Sequence, residues 1–244
     1  MTVLQLKPER FATSEYRSHH ISVGGKSLIA DMSGALYWPS ESMLMVADMH
    51  LEKGSSFAAR GQMIPPYDTR DTLLRLARTI DLYQASTIVA LGDSFHDSNG
   101  FDRMDAEDRD ILKLIQEGRR WIWISGNHDP TIASAAGGER LDTLNVGGLT
   151  FRHDPTPSQI THEIAGHMHP AAKLCLYGYS LRRPCFIGNR RRLIIPAFGS
   201  YTGGLNVLDA AFSAMFGNDG FAVWMMGEEG LYPIATRRLK ADQA

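Results

Sequence analysis

The stretch TIVALGDSFHD, residues 87–97, joins a continuous apolar run to a cluster of polar side chains. Four other apolar runs, at residues 43–47, 121–124, 149–152 and 163–165, are also followed by polar clusters. The polar residues of these clusters are Asp48 and His50, then Asp93, His96 and Asp97, then Asn127, His128 and Asp129, then His153, and finally His167 and His169. Short apolar runs predict buried strands. Because open α/β sheets bind ligands beyond the carboxyl ends of their strands, we expect these residues to form one site.

The composition is that of an ordinary globular chain of 244 residues, with 43% hydrophobic and 21% charged residues. Since the net charge is only −2, contact with nucleic acid requires a local basic patch. The two cysteines, Cys175 and Cys185, argue against a disulfide framework and a zinc ribbon. No run approaches the roughly 18 apolar residues of a membrane span, and residues 1–16 lack the apolar core of a signal peptide. We therefore expect a cytoplasmic protein without a membrane segment.

The order of predicted elements indicates one domain over residues 1–244, with a loose lead-in over residues 1–20. We expect hairpins between residues 20 and 38, a loop over 51–66, and helices from Asp68 to about Tyr83 and over about 105–117. Beyond Gly137-Gly138, short strands alternate with turns, so a β-α-β-α-β half precedes a mostly β half. Two packed sheets with helices outside them satisfy this order.

The donor types of the clusters favour a pair of divalent ions. Carboxylate, amide and imidazole ligands together suit borderline-hard ions such as manganese, iron or zinc. Two such ions with two carboxylates leave a net charge of about +2, which attracts a phosphate group. A bound dication also lowers the pKa of water to about 7, so the pattern is typical of phosphoester hydrolysis with water as the nucleophile.

The same motifs resemble a known family. Asp-x-His, Gly-Asp-x-x, Gly-Asn-His-Asp, a later His and Gly-His-x-His, in this order, are similar to the calcineurin-like metallophosphoesterases over residues 46–170. Longer stretches resemble the bacterial branch of ligase-associated DNA-damage-response endonucleases called PdeM; these are LEKGSSF at 51–57, GDSFHD at 92–97, GHMHP at 166–170 and PAFGSYTGGLN at 196–206. The resemblance implies an α/β two-sheet metallophosphoesterase sandwich in α-β-β-α layers, with the metal site at the carboxyl ends of the strands. It also implies DNA or RNA as the substrate, and association with a DNA ligase, helicase and exonuclease repair set.

The resemblance further implies roles for individual residues. One metal ion, with manganese as the first candidate and iron or zinc as others, takes Asp48, His50 and His169. The second ion takes Asn127, His153 and His167, and Asp93 bridges the two ions. His128 is then not a ligand, and it faces the phosphate to stabilise charge or to protonate the leaving oxygen.

One position departs from the family pattern. Many members read Gly-Asp-x-x-Asp, and the last Asp orients the catalytic His, whereas this chain has His96 there, followed by Asp97. Either Asp97 takes over this role, or His128 is oriented by another group such as Asp129, which leaves His96 free to touch substrate.

Basic residues provide candidates for holding the substrate. Lys53 and Arg60 follow the first cluster, and five arginines at 182, 183, 190, 191 and 192 follow the last one. We interpret them as contacts to a phosphate backbone, with solvated turns as the alternative for Arg182, Arg183, Arg190, Arg191 and Arg192.

Two other functions remain open from the residues alone. The first is a small-molecule or nucleotide phosphatase or phosphodiesterase, which a closed pocket would favour over an open, arginine-rimmed cleft. The second is a catalytically silent interaction scaffold, against which the intact set of ligands argues.

Overall fold

The computed structural model describes residues 17–157 and 162–242, which form two β-sheets and five α-helices. The strands are β1 (Ser18–Val23), β2 (Lys26–Asp31), β3 (Leu36–Trp38), β4 (Met43–Val46), β5 (Thr87–Leu91), β6 (Arg120–Ile124), β7 (Glu139–Leu141), β8 (Leu144–Val146), β9 (Leu149–Arg152), β10 (Glu163–Ala165), β11 (Pro170–Leu176), β12 (Tyr179–Gly188), β13 (Arg192–Ile194), β14 (Leu205–Asn206), β15 (Ala222–Met226) and β16 (Leu231–Ile234). The helices are α1 (Lys53–Ala59), α2 (Asp68–Tyr83), α3 (Gly100–Arg103), α4 (Ala106–Gln116) and α5 (Ala210–Phe216).

The strand order brings the carboxyl ends of parallel strands to one edge. The first sheet runs from β1 to β7 in sequence order, with β4, β5, β6 and β7 parallel. The second sheet has the order β14-β11-β12-β13-β10-β9-β8, and β15 and β16 branch from β12. Within it β9, β10 and β13 are parallel. A bridge between Ala47 and Ala197 joins the two sheets beside Asp48.

Alternating side chains of the strands build separate layers of core. Val89 and Leu91 of β5 face the second sheet, where they join Phe151 and Ile164, whereas Ile88 and neighbouring residues face the helices. This alternation follows from the twofold periodicity of a strand. A third cluster on the far side of the second sheet includes Phe212 and Phe216 of α5. The layers are therefore α-β-β-α, and the predicted fold is confirmed.

The helices over the first sheet follow the predicted periodicity. In α2, Leu73, Leu76 and Ile80 are buried, as their spacing along one face of a helix requires. In α4, the Asp105 carboxylate caps the helix by accepting a hydrogen bond from the Asp108 N–H, 2.8 Å away. Leu112 and Ile115 of this helix are buried, whereas Leu114 is 63% exposed.

Three segments differ from prediction. Residues 51–66 are not one loop, because α1 begins at Lys53 and its Gly54 N–H is held 3.0 Å from the Asp68 carboxylate. The mostly β half contains the short helix α5. Of the lead-in, residues 1–16 lie outside the described residues, but β1 begins at Ser18, where it pairs with Asp31. Among the described residues, no helix is long and apolar enough to cross a membrane.

Candidate metal centre

The polar clusters meet at the edge where the parallel strands end. Asp48 and His50 follow β4, Asp93 and His96 follow β5, Asn127 and His128 follow β6, His153 follows β9, and His167 and His169 follow β10. This edge joins both sheets, since the Phe198 N–H donates to the Ala47 carbonyl at 2.8 Å. The structure therefore brings the seven predicted metal ligands and His128 to one place.

The backbone at this edge adopts a conformation that these side chains rarely take. The left-handed φ angles are 52° at Asp48, 44° at His50, 46° at Asp93, 66° at His167 and 43° at His169. Such a conformation costs on the order of 1–3 kcal/mol per residue and is concentrated at functional sites. Five of the seven predicted ligands share it, so the fold bends repeatedly to aim these side chains inward.

Two glycines allow this close approach. A Cβ at Gly92 would lie 2.4 Å from the His153 ring, and one at Gly126 would lie 2.1 Å from the Asp93 N–H nitrogen. Both distances are far inside van der Waals contact. Any other residue would push the strand ends apart, which explains the glycine before Asp93 and before Asn127.

The first group of ligand atoms comes from Asp48, His50 and His169. These atoms lie within 4.8 Å of one another. His169 Nε2 is 3.3 Å from Asp48 Oδ1 and 3.4 Å from His50 Nε2. Asp48 Oδ1, the oxygen that lies 3.3 Å from His169, is buried without a hydrogen-bond partner among the described residues. An unpartnered buried carboxylate oxygen is costly, so its position indicates a ligand at this group.

The second group comes from Asp93, His153 and His167, and its atoms also lie within 4.8 Å of one another. Three atoms converge on His153 Nε2: Asn127 Oδ1 at 2.9 Å, His167 Nδ1 at 3.1 Å and Asp93 Oδ2 at 3.4 Å. The other ring nitrogen lies 3.0 Å from the Leu91 carbonyl. One N–H cannot serve three acceptors, whereas one shared cation can. Asp93 also lies 3.9 Å from His50 Nε2 and so stands between the two groups.

The electrostatics of the site fit a cation as well. Burial lowers the pKa of His50 to about 3, which keeps the ring in the neutral form that binds metals. Burial works against a charged His153, but the hydrogen bond with Asp93 and the charges of Asp48 and Asp93 raise its pKa to about 9. Burial likewise opposes ionisation of Asp93, yet His153 holds the pKa of Asp93 at about 2. The buried carboxylates thus draw a positive charge into the site, and divalent ions fit this demand.

His128 lies beside the ligands and is oriented by a backbone group. Its ring is exposed and packs edge-on against His50, with centroids 5.1 Å apart. Its Nδ1 lies 3.0 Å from the carbonyl oxygen of His96, and the His96 and His128 rings stack at 5.4 Å. His128, His96 and His50 therefore form a third close group of nitrogens, within 4.8 Å of one another.

Neither carboxylate considered for orienting His128 does so. Asp97 accepts two hydrogen bonds from the Arg103 guanidinium, at 2.8 and 2.7 Å, and this pairing lowers the pKa of Asp97 to about 2. Asp129 is buried and accepts from the Phe95 N–H at 3.0 Å, and burial raises the pKa of Asp129 to about 7. Of the two alternatives for orienting His128, the structure thus shows neither Asp97 nor Asp129 on the ring; the His96 carbonyl lies at Nδ1 instead. Sequence reasoning missed Arg103, for which a lone arginine on a short helix gave no signal.

Lys53 and Arg60 frame the side of the site near His96. Lys53 Nζ donates to the Tyr201 carbonyl at 2.9 Å, and Arg60 is exposed at the end of α1. Burial lowers the pKa of His96, and the charges of Lys53 and Arg60 add to this shift. The two cations therefore add positive charge on this side of the site.

The five arginines divide into two sets. Arg182 and Arg183 line a small cavity of about 100 Å³ together with His169 and the glycines at 203 and 204. Arg190, Arg191 and Arg192 lie at the amino end of β13, the opposite end from the predicted metal ligands. Ala197, beside Asp48, lies five positions beyond Arg192, or roughly 16 Å of extended chain.

Arg192 cannot contact a substrate. It is 4% exposed, and its Nε lies 2.5 Å from the buried Glu163 carboxylate. Arg191 is paired with Asp219 at 3.6 Å, and the Arg190 carbonyl accepts from the Gly24 N–H. The prediction of one basic patch is therefore wrong for Arg192, and the structure does not bring Arg190 or Arg191 to the site.

Comparisons with known proteins agree with this geometry. The family model of calcineurin-like phosphoesterases matches residues 42–192. Nuclease MPE of Pseudomonas putida has a similar solved structure, with a TM-score of 0.70 and 26% identity over 89% of this chain and 100% of that chain. A protein of unknown function from Aquifex aeolicus, AQ665, has 21% identity over 52% of this chain and 78% of that chain, but its TM-score of 0.38 carries no argument. A search of curated proteins gave no match.

The match to the family model spans more than half of the chain and includes all seven predicted ligands. The similarity to nuclease MPE supports the nuclease branch of the resemblance. The chain belongs to the calcineurin-like phosphoesterase family and is a metal-dependent phosphoesterase.

Proposed function

We propose that this protein uses two divalent ions to hydrolyse phosphodiester bonds of nucleic acid, with DNA as the first candidate substrate and manganese as the first candidate metal. The observation that carries the proposal is the pair of ligand groups with Asp93 between them. A single carboxylate in that position is suited to serve both ions, because it has two oxygens.

The assignment of ligands follows these groups. Asp48, His50 and His169 would hold one ion, and Asn127, His153 and His167 would hold the other. When bound, the two ions supply positive charge that attracts a phosphate and they activate a water molecule as the nucleophile. The left-handed backbone at Asp93 and at four of these six residues supports a rigid site, since ligand positions set by strained turns have few alternatives.

His128 acts on the substrate in this proposal. Its exposed ring faces the same space as His50, and its Nδ1 is fixed by the His96 carbonyl, so Nε2 is the atom directed to the substrate. In the protonated form it can stabilise charge on the phosphate or give a proton to the leaving oxygen. Asp97, which is fixed to Arg103, holds the loop that carries His96 and is a positioning residue. The His96 ring, half-buried against His128, is left as a contact to the substrate.

Several features favour a nucleic-acid chain over a free nucleotide. Beside His169 lies a small cavity of about 100 Å³. Its rim carries Arg182 and Arg183, and Lys53 and Arg60 border the site near His96. A similar solved structure is named a nuclease. We also propose one domain over residues 1–244, a cytoplasmic location, and a role in DNA repair beside a ligase, a helicase and an exonuclease.

The test is hydrolysis of a chromogenic phosphodiester with added manganese, run alongside nicking of plasmid DNA by the same preparation. We expect both activities, and we expect chelation to remove both. Hydrolysis of the small diester without any cleavage of DNA or RNA would favour a small-molecule or nucleotide phosphodiesterase. A preparation that binds manganese but cleaves neither would contradict the proposal.

A further inference from the structure

The hairpin that follows the metal ligand His169 carries two cations directly opposite each other. Strand β11 begins at Pro170, and Lys173 of this strand pairs in register with Arg182 of β12. Side chains of such a pair lie on the same face of the sheet, and like charges in this position are destabilising. An anion between or beside the two side chains would therefore stabilise the pair.

Asp242 supplies that anion in the structure. Its carboxylate lies 3.4 Å from the Arg182 guanidinium and 3.8 Å from Lys173 Nζ. A hydrogen bond from Asn206, followed by the contacts with Arg182 and Lys173, lowers the pKa of Asp242, so the group is ionised. Lys173 and Arg182 are 22% and 37% exposed, and Asp242 is 45% exposed, so all three are open to an external ion.

The fold fixes the segment that carries Asp242. Leu239 is buried and bridges to Leu174, and the Lys240 N–H donates to the Lys173 carbonyl at 2.9 Å. Asn206 Nδ2 donates to the Lys240 carbonyl at 3.0 Å. The carboxylate is thus presented to the two cations by a backbone that is held along β11. Only its side chain has to turn for another anion to take its place.

The position of the pair relates it to the metal centre. Arg182 also donates to the Gly204 carbonyl, and a Cβ at Gly204 would lie only 2.7 Å from the His169 carbonyl oxygen. Lys173 is four residues further along the strand from His169, or about 13 Å. One strand of nucleic acid can therefore reach the metal centre and both cations at once.

We propose that Lys173 and Arg182 form a subsite for a non-scissile phosphate of a nucleic-acid substrate, and that Asp242 occupies it as an internal counter-ion until the substrate displaces it. This inference rests on the proposed function. A phosphate offers the same pair of charged oxygens as the Asp242 carboxylate and carries one negative charge per nucleotide. Asp242 therefore lowers the affinity for nucleic acid and weakens its dependence on salt.

The test compares binding of a fluorescein-labelled DNA oligonucleotide to manganese-loaded full-length variants, all of which carry His128→Asn to slow cleavage. Asp242→Asn removes the internal anion and keeps its shape. We expect tighter binding, and we expect the gain over the unaltered Asp242 to increase about threefold between 200 and 50 mM salt, because one phosphate contact changes the logarithmic slope by about 0.9.

Asp219→Asn is the matched control, because Asp219 pairs at 3.6 Å with Arg191, which lies away from the site, and its loss changes the net charge equally. A second arm places Asp242→Asn in an Arg182→Gln background, where the gain should fall to the contribution of Lys173 alone. Equal gains from Asp219→Asn and Asp242→Asn, or an undiminished gain without Arg182, would overturn the subsite. If the unaltered protein cleaves plasmid DNA, such a result leaves the proposed function standing, whereas a protein that neither binds nor cuts DNA overturns both.

Discussion

The edge that carries the predicted metal ligands and the arginines of the second sheet differ in how their charges are paired. Asp48 and Asp93 are buried at 0% and 3% exposure, and around them lie imidazoles that cannot all be satisfied by shared protons. The arginines of the second sheet, by contrast, have carboxylates of their own: Arg182 with Asp242, Arg183 with Glu228, Arg191 with Asp219 and the buried Arg192 with Glu163. Buried carboxylates and imidazoles that lack enough protein partners indicate a ligand-binding site. A charged side chain that already has a partner indicates such a site only when its position in the fold also supports it.

The largest expected effect is at the centre. Asp93→Asn should abolish hydrolysis of both the chromogenic diester and DNA, and it should reduce the metal content of both positions, because Asp93 stands between the two ligand groups. Rates and metal content by mass spectrometry check this. Asp110→Asn on the exposed face of α4 is the matched control. Full turnover with two ions per chain in Asp93→Asn would contradict the role of Asp93 between the two ligand groups.

His128→Asn tests whether a residue can belong to the centre without binding metal. We expect a metal content near that of the unaltered protein and a fall in the rate of DNA cleavage of roughly 10²-fold or more, the scale of a general acid or a charge-stabilising donor. The readouts are cleavage rate and metal content of the same sample. Loss of one ion would instead make His128 a ligand.

Arg192→Gln tests the arginine of the second sheet that is buried in the fold. Removing one partner of the buried pair leaves Glu163 with only the more distant Arg152 guanidinium at 3.9 Å and the Thr156 N–H, so the free energy of unfolding should fall by up to about 3–5 kcal/mol. Denaturant unfolding measures this. Arg190→Gln, an exposed neighbour, should change stability by no more than about 0.5 kcal/mol. Similar stability of the two variants would contradict the structural role of Arg192.

The smallest expected effect separates the two sets of arginines. Arg182→Gln with Arg183→Gln should flatten the salt dependence of DNA binding by about one unit of slope per lost contact, because these residues border the site. Arg190→Gln with Arg191→Gln removes the same charge at the opposite end of the sheet and should leave the slope unchanged. Anisotropy titrations at several salt concentrations supply the slopes. Equal flattening by both pairs would mean that net charge alone governs binding.

The centre was predictable from sequence because each part of it is a local pattern. Apolar runs predicted the strands, and the polar residues after each run had to meet at the shared edge of parallel strands. Even the weak run at 163–165 is a strand, because two parallel neighbours complete its hydrogen bonds. Helix α1 was missed because Gly54 and two serines are poor helix formers, and the helix depends on contacts with Asp68 and its neighbours.

The roles of the basic residues were less predictable, because a sequence shows which residues are charged but not which partners they have in the fold. The densest basic run is formed by Arg190, Arg191 and Arg192. It lies at the amino end of β13, whereas the site lies beyond the carboxyl end of the same strand. Arg103 escaped notice although it holds Asp97, since only the folded loop brings the two together. Lys173 and Asp242 become partners only through the pairing of β11 with β12 and the segment that ends at Asp242.

The proposed function requires two ions to act together in one site around Asp93. The most direct measurement is the rate of chromogenic diester hydrolysis as manganese is added stepwise to metal-free protein, with bound metal counted at each step. We expect the rate to reach its maximum at two ions per chain and to stay low at one. A rate that is already maximal with a single bound ion would contradict it.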